Sequence, residues 1–186
     1  MIPVALAETI FRLCWFFLLL VAVSAHLAFT GAIKRKGDLT TNALVALPYL
    51  IVFACFTYRR AMGTFPAVAW LQCAGLILML CGTAGYSVSI LFLRRNWAVS
   101  AAVKEGHTLV TRGPYRFVRH PMYFFIMLVI AGSGLLISNY LITAALPLIF
   151  LIYLRRARQE EELLRRELPG YSAYCRKIRM LIPGVF

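Results

Sequence analysis

From residue 119 to residue 161 the chain reads RHPMYFFIMLVIAGSGLLISNYLITAALPLIFLIYLRRARQEE, and this stretch decides the fold. It contains two apolar blocks, residues 122–137 and 141–154, which are separated by a short polar link. Each block is a little shorter than the roughly 20 residues that span a bilayer as a helix. We predict a tight helical hairpin in the membrane. Its two polar ends should lie close together, because the second helix returns the chain to the side from which the first began.

The whole chain has the composition of a membrane protein. Of its 186 residues, 61% are hydrophobic, whereas a soluble domain is roughly half apolar. Three further apolar blocks precede the hairpin, at residues 5–33, 42–58 and 65–93. The pattern predicts an all-α, polytopic membrane protein with about five transmembrane helices. Residues 1–93 would form three N-terminal spans, and residues 94–186 would form the region in which catalysis is expected.

Charge indicates how the chain lies in the membrane. It carries 20 Lys and Arg against 7 Asp and Glu, a net charge of +13. These basic residues lie between apolar blocks rather than on a soluble face, so membrane topology explains them and no nucleic-acid partner is predicted. Loops rich in Lys and Arg stay on the cytosolic side of a membrane. The distribution of basic residues along this chain therefore predicts that the N-terminus lies outside and that the C-terminus lies in the cytosol. The short length of the chain favours a protein of a prokaryotic cytoplasmic membrane.

The first polar end of the hairpin has the features of an anion-binding helix start. Pro121 suits the first turn of a helix, where its missing N–H costs nothing. His120 then lies at the N-cap, and Tyr123 projects from the first turn. Together with Arg119, the helix N-terminus provides positive charge and hydrogen-bond donors that suit a carboxylate.

The second polar end of the hairpin brings acidic groups to the same place. Arg156 and Glu160 are four residues apart and therefore share one face of a helix. A carboxylate there can accept hydrogen bonds from hydroxyl or ammonium groups, and an arginine can orient a substrate carboxylate. The same pattern is also typical of a solvated helix face.

Taken together, these motifs resemble the isoprenylcysteine carboxyl methyltransferase family, which is related to the phospholipid methyltransferases. The resemblance covers about residues 91–183. It rests on the order and spacing of Asn96-Trp97, His107-x-Leu109-Val110-x-x-Gly113-x-Tyr115, GPYRFVRHPMY at 113–123, Arg156-x-x-x-Glu160-Glu161 and a final Tyr-x-x-Tyr before Leu-Ile-Pro. It implies a cytosolic pocket for S-adenosylmethionine, which leaves as S-adenosylhomocysteine. The methyl acceptor would be a lipophilic small molecule or a lipid-modified acceptor in the membrane lipid.

The resemblance also implies a role for each matching residue. Arg156 and Glu160 would be catalytic, and Arg156 would face the methyl acceptor. Backbone groups of the loop before the hairpin would hold the adenine. The residues implied to bind the cofactor are His107, Leu109, Val110, Gly113, Tyr115, Arg119, His120, Pro121, Tyr123, Glu160 and Glu161. No metal site is implied, and the five cysteines show no Cys-x-x-Cys spacing.

Several interpretations stay open at this point. Arg94 stands where the family often has glycine, and residues 168–170 are about one residue shorter than the matching family segment. The acceptor can be a prenylated cysteine, another lipophilic carboxylate, a small thiol or a phospholipid amine, although the shortage of isolated bases favours a carboxylate or a thiolate. The alternatives are a non-enzymatic membrane protein and an NADPH-dependent reductase of the sterol-reductase type, where acidic residues are expected instead of Phe124 and Phe125.

Overall fold

The computed structural model describes residues 1–28, 33–36, 39–58, 64–97, 102–104 and 106–184. Within these ranges the helices are α1 (Val4–Ala28), α2 (Leu39–Thr57), α3 (Ala69–Leu93), α4 (Pro121–Leu136), α5 (Tyr140–Glu167) and α6 (Tyr171–Lys177). Two 3₁₀ turns cover Arg94–Asn96 and Gly113–Arg116. The predicted all-α fold is confirmed. One short antiparallel ribbon, β1 (Ile33–Lys36) with β2 (Ala102–Lys104), was not expected from the sequence.

The apolar helices agree with a polytopic membrane protein. In the described ranges, three segments are long and apolar enough to cross a bilayer, namely Val4–Ala25, Ala69–Asn96 and Tyr140–Glu167. Two further apolar segments are shorter, Leu47–Thr57 and Pro121–Leu136. The first predicted block was too long at its end, because the helix stops at Ala28 and the chain enters β1 at Ile33.

The predicted hairpin is formed by α4 and α5, and Asn139 fixes its turn. The side chain of Asn139 caps α5 by accepting a hydrogen bond of 3.0 Å from the backbone N–H of Ile142. Its amide also donates to the backbone carbonyl of Cys55 on α2, at 3.3 Å. The apolar block and the charged segment after it, which the sequence suggested as separate pieces, form the single helix α5. Its polar end therefore continues rigidly from the membrane span.

Glycines allow α3 and α4 to pack with their backbones in contact. A Cβ on Gly132 would lie 2.5 Å from the carbonyl oxygen of Gly75 and 2.6 Å from the backbone nitrogen of Met79. A Cβ on Gly82 would lie 2.7 Å from the carbonyl oxygen of Phe125. Small residues that permit such close approach are typical of membrane helix interfaces. This contact holds α4, and hence the first end of the hairpin, against α3.

Gly132→Ala should destabilise the protein, because the added methyl group overlaps backbone atoms that cannot rotate away. Overpacking of this kind costs about 1–3 kcal/mol. Thermal unfolding in detergent measures the effect, with Ala84→Val as the control because Ala84 is exposed on α3. Equal melting temperatures for Gly132→Ala and the wild type would show that α3 and α4 are not packed this closely.

Candidate functional site

Three side chains join the polar ends of α4 and α5. The hydroxyl of Tyr123 donates a hydrogen bond of 2.5 Å to Oε1 of Glu160. Nε of Arg156 donates to the Tyr123 hydroxyl oxygen at 2.6 Å, and its Nη2 lies 3.0 Å from Oε1 of Glu160. The arginine side chain is only 4% exposed. The structure therefore brings the two polar ends of the hairpin together, as the order of residues along the chain predicted.

His120 lies between two carboxylates. Its Nδ1 is 3.6 Å from Oε2 of Glu160, and its Nε2 is 3.4 Å from Oε1 of Glu161. The imidazole also stacks on the Tyr123 ring, with centroids 5.4 Å apart. Burial alone would lower the pKa of His120, but hydrogen bonding and attraction from the two carboxylates outweigh it and raise this pKa above its usual 6.5. The two carboxylates thus stabilise the protonated form of this imidazole relative to the neutral form.

Arg119 fastens the C-terminal segment to the hairpin. Its Nε donates to Oε1 of Glu161 at 2.6 Å, and its Nη1 donates to the carbonyl oxygens of Cys175, at 3.0 Å, and Ile178. The backbone N–H of Arg119 also donates to the carbonyl of Arg179 at 2.8 Å. The guanidinium that the sequence suggested for a cofactor carboxylate is thus already engaged by protein groups. Its cofactor role stays a prediction.

The loop before the hairpin is held by backbone-directed contacts. Nδ2 of Asn96 donates to the carbonyl of Thr108 at 2.9 Å, and the N–H of Thr108 donates to Oδ1 of Asn96 at 3.3 Å. The hydroxyl of Tyr174 on α6 donates to the carbonyl of Tyr115 at 2.5 Å. Gly113 has a φ of +59° and lies against the Phe92 ring, where a side chain would not fit. These contacts fix the loop against the end of α3 and against α6.

A cavity of about 760 Å³ opens onto this polar cluster. The candidate residues that line it are His107, Leu109, Val110, Tyr115, Arg119, His120, Tyr123, Arg156 and Glu160. The remaining candidates support the lining instead: Glu161 holds Arg119 and His120, Pro121 begins α4, and Gly113 forms a turn.

The other end of the cavity is an apolar limb that sequence reasoning missed. It runs between α1 and α2 and is lined by Phe11, Trp15, Leu18, Leu19, Ala22, Val23, Leu50, Val52 and Phe53. Tyr49, Tyr86 and Tyr153 also line the cavity. The signal available was the helical spacing of Phe11, Trp15, Leu18 and Ala22, which places them on one face of α1. In a membrane helix that pattern does not distinguish a cavity wall from ordinary packing.

The profile of the isoprenylcysteine carboxyl methyltransferase (ICMT) family matches residues 75–166. The probable protein-S-isoprenylcysteine O-methyltransferase of Oryza sativa is 23% identical over 160 residues, which cover 81% of this chain and 84% of that protein. The cobalt-zinc-cadmium resistance protein CzcN of Cupriavidus metallidurans is 30% identical over 141 residues, which cover 75% of this chain but only 61% of that protein.

A solved structure has a similar fold. It is a eukaryotic intramembrane Ras methyltransferase, ICMT, with a TM-score of 0.56 and 23% sequence identity. The match covers 82% of this chain and 55% of that chain. At this identity the likeness is one of fold alone, and nearly half of the larger relative has no counterpart in this chain.

Arg119→Gln should release the C-terminal segment, because it breaks a buried ion pair and two hydrogen bonds to backbone carbonyls. Breaking a buried pair costs about 3–5 kcal/mol. We expect a lower melting temperature and faster tryptic cleavage after Lys177. Arg166→Gln is the matched control, since the Arg166–Glu162 pair is exposed and such pairs contribute about 0–1 kcal/mol. Unchanged protection of Lys177 in Arg119→Gln would contradict the fastening role.

Proposed function

We propose that this chain is a membrane methyltransferase dependent on S-adenosylmethionine, since the profile of the isoprenylcysteine carboxyl methyltransferase family matches residues 75–166. The proposed acceptor is lipophilic and carries a carboxylate or a thiolate. One observation carries the proposal: a single cavity joins a cluster of buried charged groups to an apolar limb between helices. A water-soluble cofactor and a lipid-soluble acceptor need such a pair of environments side by side.

The groups at the polar end fit the cofactor. S-Adenosylmethionine has ribose hydroxyls and an ammonium group, which suit the carboxylate of Glu160. The backbone amides and carbonyls of residues 107–110 suit the edge of the adenine, and the rings of Tyr115 and His120 add flat apolar surface. The volume of about 760 Å³ lies within the range of roughly 300–1,000 Å³ that small-molecule sites occupy.

The residues of the chain would act by binding and positioning. When bound, S-adenosylmethionine supplies a methyl group on a sulfonium, which is already a good electrophile. Arg156 would attract and orient an acceptor carboxylate, and its interactions are strengthened because the side chain is buried. Tyr123 and Tyr153 stack with centroids 5.1 Å apart and would keep water from the reacting atoms. Holding reactants in line in this way can supply about 7–11 kcal/mol of the barrier.

An anionic acceptor suits this site better than an amine. A carboxylate is already ionised near neutral pH and needs no base. A thiol or an amine must lose a proton at some stage, and both ring nitrogens of His120, the nearest candidate base, already face the carboxylates of Glu160 and Glu161. Phospholipid amines are therefore the acceptor class with least support from the polar cluster.

The acceptor would enter from the lipid between α1 and α2. Leu19, Leu50 and Phe53 line the cavity and are also 59%, 62% and 70% exposed. In a bilayer that exposed surface faces lipid. We further propose that the polar end faces the cytosol, with the N-terminus outside, in a prokaryotic cytoplasmic membrane. Residues 94–186 would then carry the charged groups, while residues 1–93 supply the apolar limb.

S-Adenosylhomocysteine should raise the melting temperature of the purified protein in detergent, and NADPH should not. Glu160→Gln should lose most of the shift, because the amide keeps the size of the side chain but not its charge. Glu162→Gln is the matched control, since Glu162 is exposed. Stabilisation by NADPH alone would replace the methyltransferase proposal with the reductase.

A further inference from the structure

The apolar limb is longer than a cofactor site requires, and its role rests on the proposed function. The limb follows α1 from Val23 to Phe11. At 1.5 Å per residue this corresponds to ~18 Å along the helix, more than half of the roughly 30 Å hydrocarbon core of a bilayer. A cavity that served only the cofactor would not need such depth. Its length and apolar lining suit an unbranched or prenyl-like hydrocarbon tail.

Two aromatic rings stack on each other where the lining of the limb reaches Phe11. Phe11 on α1 is 6% exposed and stacks on Phe56 of α2, with centroids 4.4 Å apart and ring planes within 10°. The guanidinium of Arg12 lies over the outer side of this pair, 5.6 Å from the Phe56 centroid, and pairs with Glu8 at 3.3 Å. The ring pair therefore joins the two helices that form the limb.

The neighbouring wall is fixed as well. Nε1 of Trp15 donates to Oγ of Ser133 on α4 at 3.2 Å. The Trp15 ring packs against the Tyr49 ring in an edge-to-face arrangement, with centroids 5.7 Å apart. Phe11 and Trp15 are also in contact, with centroids 6.1 Å apart. Phe11 and Trp15 thus contact each other as well as residues of α2 and α4, and these contacts restrict how far the Phe11 ring can turn.

We propose that Phe11, backed by Phe56, is a specificity-determining residue that sets the longest hydrocarbon tail the acceptor can carry. A tail that fills the limb has its reactive head beside Arg156. A longer tail meets the Phe11–Phe56 pair, and its head is displaced from the charged cluster. Shorter tails bind more weakly because they bury less apolar surface.

A series of S-alkyl-N-acetylcysteines with tails of roughly 8 to 20 carbons tests this proposal, since each added methylene buries a similar increment of apolar surface. Binding by calorimetry and kcat/KM for methyl transfer are both measured on the full chain in lipid nanodiscs. The wild type should show an optimum tail length. Phe11→Ala should move the optimum to longer tails, with a gain of roughly tenfold for the longest tail relative to the shortest. Phe11→Trp should move it the other way.

Phe16→Ala is the matched control, because Phe16 is exposed on the same helix and does not line the cavity. It should keep the optimum of the wild type. The proposal is overturned if the wild type shows no optimum, or if neither Phe11 variant moves it in the binding measurement. If the wild type and all variants fail to transfer methyl groups, while binding still shows an optimum tail length, the proposed function is contradicted and the role of the limb stands.

Discussion

The hydrogen bond between Tyr123 and Glu160 crosses from α4 to α5 at 2.5 Å, and the polar end of the cavity is built around it. Tyr123 also receives a hydrogen bond from Arg156 and stacks on both His120 and Tyr153. These contacts are possible because α5 continues as one helix from its apolar part through Arg156 and Glu160 to Glu167. A rigid extension of one hairpin arm over the start of the other is thus the constraint on which the site depends.

Such a cluster costs stability unless its charges are paired. Removing ionised groups from water is expensive, and a buried pair often does no better than an apolar replacement. Here two carboxylates, Glu160 and Glu161, are matched by Arg156, Arg119 and His120. A buried network of this kind at the mouth of a cavity is typical of a functional site rather than of a stabilising device. Arg119, His120, Arg156 and Glu160 line the cavity, and Glu161 supports the first two of them.

The order of residues along the chain was enough to predict the hairpin and the meeting of its two polar ends. Two short apolar blocks joined by a tight link leave few other arrangements, and the close helix packing at Gly82 and Gly132 could also be anticipated. The position of α1 and α2 could not, because apolar side chains in a bilayer face lipid and protein alike and give no clear periodicity. The apolar limb and the contact of Phe11 with Phe56 were missed for this reason. The hydrogen bonds from Arg119 to carbonyls of the C-terminal segment were also missed. They depend on where the backbone lies, which a motif of side chains does not predict.

The central claim is that Tyr123 and Glu160 touch across the hairpin, and a double-mutant cycle on the free energy of unfolding tests it directly. Tyr123→Phe, Glu160→Gln and the double variant would be unfolded in the same detergent. Residues in direct contact show coupling of about 0.5–3 kcal/mol, whereas distant ones add to within roughly 0.3–0.5 kcal/mol. The account predicts coupling in the first range. Additive effects would mean that the two side chains do not meet and that the two hairpin ends do not form one pocket.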